Sequence, residues 1–75
     1  MIGEPLAVWT VFDHPDDYPD VFIARKWLIV AGVAVATDDT LIGPDLESVR
    51  DQIPAGLHRF PRAPEDDLNI VESWL

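Results

Sequence analysis

Gly43-Pro44-Asp45-Leu46-Glu47-Ser48-Val49-Arg50-Asp51-Gln52-Ile53-Pro54 is the stretch on which the fold turns. Leu46, Val49 and Ile53 recur at i, i+3 and i+7, the apolar stripe of a helix. Asp45 stands where a carboxylate caps the first free amides, and Glu47 lies at the positive end of the helix dipole. Pro54 and Gly56 supply the stop. A helix of about two turns does not persist alone in water. Its stripe must rest on a surface, and the segments on both sides of it read as strands.

On the N-terminal side, Leu6, Val8, Thr10 and Phe12 alternate with Ala7, Trp9 and Val11, the period of a strand with apolar groups on both faces. Asp13 to Asp20 holds two prolines in five residues and four aspartates, which predicts a turn-forming loop. Val21 to Val30 is a second strand, with Arg25 and Lys26 interrupting its apolar faces. Ala31-Gly32 marks a turn or bulge. Val33 to Thr37 either extends the second strand or makes a short return strand, Asp38-Asp39 reads as a turn, and Thr40-Leu41-Ile42 as a short third strand.

Beyond the helix, Leu57 to Pro64 is extended and Glu65-Asp66-Asp67 is a further acidic turn. Leu68 to Leu75 is a last strand, with Ile70 and Trp74 on one face and Val71 and Leu75 on the other. The predicted fold is α+β: a small, mainly antiparallel sheet of three or four strands with one short helix on a face, in the order β-β-β-α-β. Residues 1–75 form a single domain, with Trp9, Phe22, Ile23, Leu28, Leu46, Val49, Ile53 and Ile70 as the expected core. The length predicts a radius of gyration near ~11 Å.

Composition narrows the function. Fourteen carboxylates against five Lys and Arg give a net charge of −9, which opposes direct nucleic-acid binding and favours a basic protein partner. The chain has no cysteine, which excludes disulfides, thiolate metal sites and thiol nucleophiles. Met1-Ile2-Gly3-Glu4-Pro5 lacks a basic n-region, and the longest apolar run, Trp27 to Ala36, is half the length of a membrane span, so a cytoplasmic location is expected.

Asp13, His14, Asp16, Asp17 and Asp20 bring five oxygen or nitrogen donors into eight residues, but the spacing lacks the glycine and closing glutamate of a calcium loop. No metal or cofactor is expected. His14 and His58 have no nucleophile-elbow serine to serve, and the four glycines stand apart rather than in a phosphate loop, so the chain reads as a non-enzyme. Arg25-Lys26-Trp27 has the look of a stacking spot for bases, but against the overall charge it reads as internal pairing and packing. Arg59 and Arg62 stand within pairing distance of Asp66 or Asp67 along the chain.

The candidate partner-binding residues are the acidic turns: Asp16 and Asp17, Asp38 and Asp39, and Glu65, Asp66 and Asp67. If two of these turns share one end of the sheet they form a strong negative patch, able to imitate the phosphate charge of a duplex.

The stretches Val8-Trp9-Thr10-Val11-Phe12-Asp13-His14-Pro15, Tyr18-Pro19 and Ala24-Arg25-Lys26-Trp27, with the tail from Leu57 to Leu75, resemble small bacterial and prophage-borne proteins of unassigned activity. In size, acidity and lack of cysteine the chain also resembles phage anti-CRISPR inhibitors. That likeness implies a stoichiometric inhibitor that occludes the basic groove of a CRISPR surveillance complex and excludes its target DNA. It transfers no residue role. The alternative is a structural or regulatory accessory protein without inhibitory role, for which homo-oligomerisation through an edge strand is suited.

Overall fold

A computed structural model describes residues 6–75; the opening segment 1–5, read above for a leader, lies outside the described residues. Five strands and one helix follow in the order β1 (Leu6–Asp13), β2 (Phe22–Val30), β3 (Val33–Gly43), α1 (Leu46–Gln52), β4 (Arg59–Pro61) and β5 (Ile70–Trp74). They form one antiparallel sheet in the spatial order β3-β2-β1-β5-β4. The predicted sheet-plus-helix class is observed, with Arg59–Pro61 of the extended segment joining it as a short outer strand against β5.

The helix begins and ends where its residues dictate. Ser48 N–H donates to Asp45 Oδ1 at 2.8 Å, and Ile53 forms the C-cap. This bond holds the Asp45 carboxyl below the usual range. Gln52 Nε2 donates to the carbonyls of Ser48 and Ile42, tying the last turn to β3. The stripe packs on the middle of the sheet: Trp9, Val11, Ala24, Val49 and Ile53 form the buried cluster, with Phe22, Leu41, Leu46, Leu57, Val71 and Trp74 against it. Of the expected core, Trp9, Ile23, Val49 and Ile53 are buried, whereas Phe22, Leu28, Leu46 and Ile70 are only half-buried. Leu46 sits at the rim of the helix contact, so truncating it exposes little new core.

Gly43, the last residue of β3, is buried against the start of the helix. A Cβ there would lie 2.7 Å from Ser48 Cβ and 3.1 Å from Val49 N. Both atoms belong to the capped first turn, which has no slack. Gly43→Ala is expected to cost about 1–3 kcal/mol by overpacking. In a domain of this size that lowers the melting temperature by about 5–20 °C, read by circular dichroism.

Two local predictions are corrected. Asp38-Asp39 is not a turn. β3 runs unbroken from Val33 to Gly43, and the two aspartates sit in a bulge between the pairs Trp27↔Ala36 and Arg25↔Thr40. Thr37 Oγ1 donates to Lys26 O and accepts from Asp39 N–H, so the polar residues satisfy the bulge rather than reverse the chain. The reversal occurs at Ala31-Gly32, a two-residue connection with φ of 51° and 79° between Val30 and Val33. Positive φ at both positions is the type I′ geometry that matches strand twist.

The second correction concerns β5. The register shifts between Val11 and Phe12, so Val11 faces Glu72 while Phe12 faces Ile70. The bulge absorbs Val71, which joins Trp74 against the buried cluster; Ile70 and Trp74 therefore do not share a face.

The helix covers only the half of the sheet near Gly43. The β2–β3 hairpin extends past it, and Leu6, Val30, Val33 and Val35 are exposed there. The molecule measures 43 × 27 × 22 Å, with a radius of gyration of 12.5 Å. That exceeds the value expected from length because the hairpin projects beyond the core. No helix among the described residues is long and apolar enough to cross a membrane.

Candidate functional site

The sheet face away from the helix is built by Val8, Thr10 and Phe12 of β1 and their partners Trp27, Arg25 and Ile23 of β2. At one end of this face two acidic connections meet. The loop 14–21 is closed by Tyr18 N–H to Pro15 O and by His14 N–H to Val21 O. Pro15 is buried, and the Arg25 guanidinium binds Asp17, which draws the loop over the sheet. That bond holds the Asp17 carboxyl below the usual range. Arg25 also lies over the Phe12 ring, 5.8 Å from its centroid.

The second connection, 62–69, is pinned to the first. Asp13 N–H donates to Asn69 O at 2.7 Å, and Asn69 Nδ2 reaches the carbonyls of Asp13 and His14 at 3.4 and 3.3 Å. Asp67 Oδ1 accepts from Asn69 N–H, a local turn that an aspartate two residues upstream favours. Between the connections lies a cleft of about 290 Å³. Phe12, Trp27 and Pro15 give it apolar walls; Asp16, Asp17 and Asp67 bring three carboxylates against the single guanidinium of Arg25.

The structure thus brings together two of the three acidic turns. Asp16, Asp17 and Asp67 border the cleft. Glu65 is exposed on the turn beside it. Asp66 is half-buried and occupied structurally: its Oδ2 accepts from Ala63 N–H, and its carbonyl accepts from Arg62. Asp38 and Asp39 lie on the far edge strand, where Asp39 pairs with Lys26 at 3.7 Å. Arg25 and Lys26 therefore form internal ion pairs, as their sequence context suggested, and Lys26 also lies 5.9 Å from the Trp9 ring centroid. Trp27 is half-buried and lines the cleft rather than the core.

Arg59 does not pair with the acidic turn; its guanidinium lies 3.7 Å from Glu72. Glu72 is the residue that sequence reading passed over. Only 1% exposed, it receives Arg50 Nε and Nη2 at 2.9 and 2.6 Å and Trp74 Nε1 at 2.7 Å. Burial pushes its carboxyl up, but the Arg50 and Trp74 hydrogen bonds and the Arg59 charge outweigh this and hold it below the usual range. The signal was a lone carboxylate within an apolar last strand and a lone arginine directly after the stripe residue Val49.

No protein family, curated protein or solved structure matches the chain.

Among the described residues, no group of three or more His, Asp or Glu side chains is arranged to hold a metal ion. The loop donors are turned to other uses: Asp13 binds His14, Asp17 binds Arg25, and the His14 ring meets Phe22 edge-on at 5.0 Å. What the cleft can do chemically is bind a cation with an apolar stem. A Lys or Arg side chain would lay its methylenes along Phe12 and Trp27 and present its charge to Asp16 and Asp67.

Proposed function

We propose that this chain is a small acidic binding protein that occludes a basic protein surface stoichiometrically, with the cleft between residues 15–17 and 67–69 as its contact. The observation that carries the reading is the meeting of Asp16, Asp17 and Asp67 around aromatic walls. Three carboxylates against one guanidinium over low-dielectric walls leave the mouth of the cleft net negative in a −9 chain. Its most concrete form is an anti-CRISPR inhibitor that covers the DNA-binding groove of a CRISPR surveillance complex.

Two experiments separate the general and the concrete forms. In the first, an acetylated oligoarginine peptide is titrated into labelled protein and followed by NMR. Shifts are expected at the Asp16, Asp67 and Asn69 amides and the Trp27 indole, and are lost in Asp16→Asn with Asp67→Asn. Shifts spread evenly over Asp38, Asp51 and the cleft would show only a diffuse field and end the reading. In the second, the protein competes with target duplex for a purified CRISPR surveillance complex; failure to displace the duplex removes the concrete form alone.

A further inference from the structure

The two edges of the sheet differ in what they offer a further strand. Of the two sheet edges, β4 is blunt: it has three residues, one of them Pro61, which has no N–H to offer. Among the described residues, β3 is the open edge and has eleven residues. Its second half is guarded by Asp38, Asp39 and their bulge, two devices that prevent edge pairing. Its first half, Val33-Ala34-Val35-Ala36-Thr37, has neither, and no ionisable group occurs from Trp27 to Thr37.

The turn fixes which backbone groups face outward. Val30 and Val33 flank a two-residue hairpin connection and bond each other, and Val35 faces Leu28 in the same phase. Ala34 and Ala36 therefore direct their N–H and C=O groups away from β2.

Charge selects the occupant. Two copies at −9 repel one another, and they approach at least cost where no charge lies at the contact, as on this hairpin. A basic partner is drawn instead to the carboxylates.

We propose that Val33–Thr37 pairs antiparallel with the same segment of a second copy, about a twofold axis at Val35, joining two sheets into one. In that register Ala34 bonds Ala36 of the second copy, Val33 meets Thr37, and Val35 meets itself. None of these cross-strand pairs sets like charges opposite each other. Two five-residue segments bury less than the ~1,200 Å² of a stable interface, so the dimer is reversible and concentration-dependent.

Sedimentation equilibrium of the whole chain tests this. The mass-average should rise from 8.4 kDa toward twice that value with concentration, and rise further with salt, which screens the repulsion. Val35→Lys places two cations at the axis and should hold the chain monomeric. Ala34→Pro removes an outward N–H without removing a bond to β2, and should do the same. Phe60→Lys on the opposite edge should leave the dimer intact. In a chain with no cysteine of its own, Val35→Cys should crosslink readily with oxidised glutathione, because a non-hydrogen-bonded antiparallel pair brings Cα atoms to about 4.5 Å. Val33→Cys, which faces Thr37, should crosslink far less. A mass of one chain at all concentrations, or a dimer unchanged in folded Val35→Lys, would overturn the proposal. Equal crosslinking at both cysteine positions would overturn the twofold register.

Discussion

Arg50→Ala is expected to be among the most destabilising single changes in this protein, costing about 3 kcal/mol. It leaves the Glu72 carboxylate buried, with Arg59 3.7 Å away and Trp74 Nε1 as its remaining partners. A domain of this length has a total stability on the order of 4–11 kcal/mol, so the loss is a large fraction of the whole. Urea unfolding of both proteins measures it. Replacing both partners, Arg50→Met with Glu72→Leu, removes the buried charge along with its counter-ion and is expected to recover most of the loss. If the double variant is as unstable as Arg50→Ala, the pair is not the cause.

The same bond sets a pH dependence. The Glu72 carboxyl is depressed in the folded chain, so its contribution is complete above the unfolded value of about 4.3 and is lost as pH falls through the lower folded value. The wild type should therefore lose stability in acid. The gap between it and Arg50→Ala should narrow as pH falls, beginning at a higher pH than the wild-type loss, because the buried carboxylate that has lost Arg50 protonates more readily. A gap that stays constant down to about pH 3 would exclude this linkage.

Charge reversal at the cleft should have the largest effect on binding. Asp16→Lys with Asp67→Lys inverts two of the three carboxylates bordering the cleft while leaving the Asp17–Arg25 pair in place. Steered association depends on this field, so the on-rate for a basic partner should fall about tenfold to a hundredfold at low salt. The off-rate should move less. At 1 M salt the Debye length is ~3 Å, and the on-rates of wild type and variant should converge. Surface-plasmon kinetics at two salt concentrations, against the partner captured from a native lysate, gives both rates. Equal on-rates at low salt would remove the acidic cleft from the mechanism. Asp66 makes a poor test residue, because its carboxylate caps Ala63 and reversal disturbs the turn itself.

The lessons of the sequence differ by element. The helix was legible within a residue at each end, because its cap, stripe and stop are local signals: Asp45, Leu46-Val49-Ile53 and Pro54 act within a few residues of one another. β1 was legible because it is a short run rich in Val, Trp, Thr and Phe that ends at a proline-rich loop. Asp38-Asp39 misled because aspartate favours both turns and bulges, and the choice depends on a partner strand eleven residues away, where Lys26 O accepts from Thr37. The faces of β5 were lost for the same kind of reason: a bulge is a property of two strands, not of one.

By itself, then, the sequence determined the class of fold, the charge, the absence of thiol chemistry and the residues that supply carboxylates. Those follow from composition and short-range period, which neighbouring residues decide. The tertiary structure alone decided which carboxylates meet. Asp16 and Asp67 converge because Asn69 ties the two connections to the end of β1, and Asp38 is removed to the far edge because β3 pairs outside β2. It also decided that Glu72, one carboxylate among fourteen in the sequence, is buried and paired with Arg50, while the apolar run Val33–Ala36 lies at an edge that is open among the described residues. Strand order and register join residues tens of positions apart, and no local pattern encodes the free-energy balance among alternative pairings that selects them.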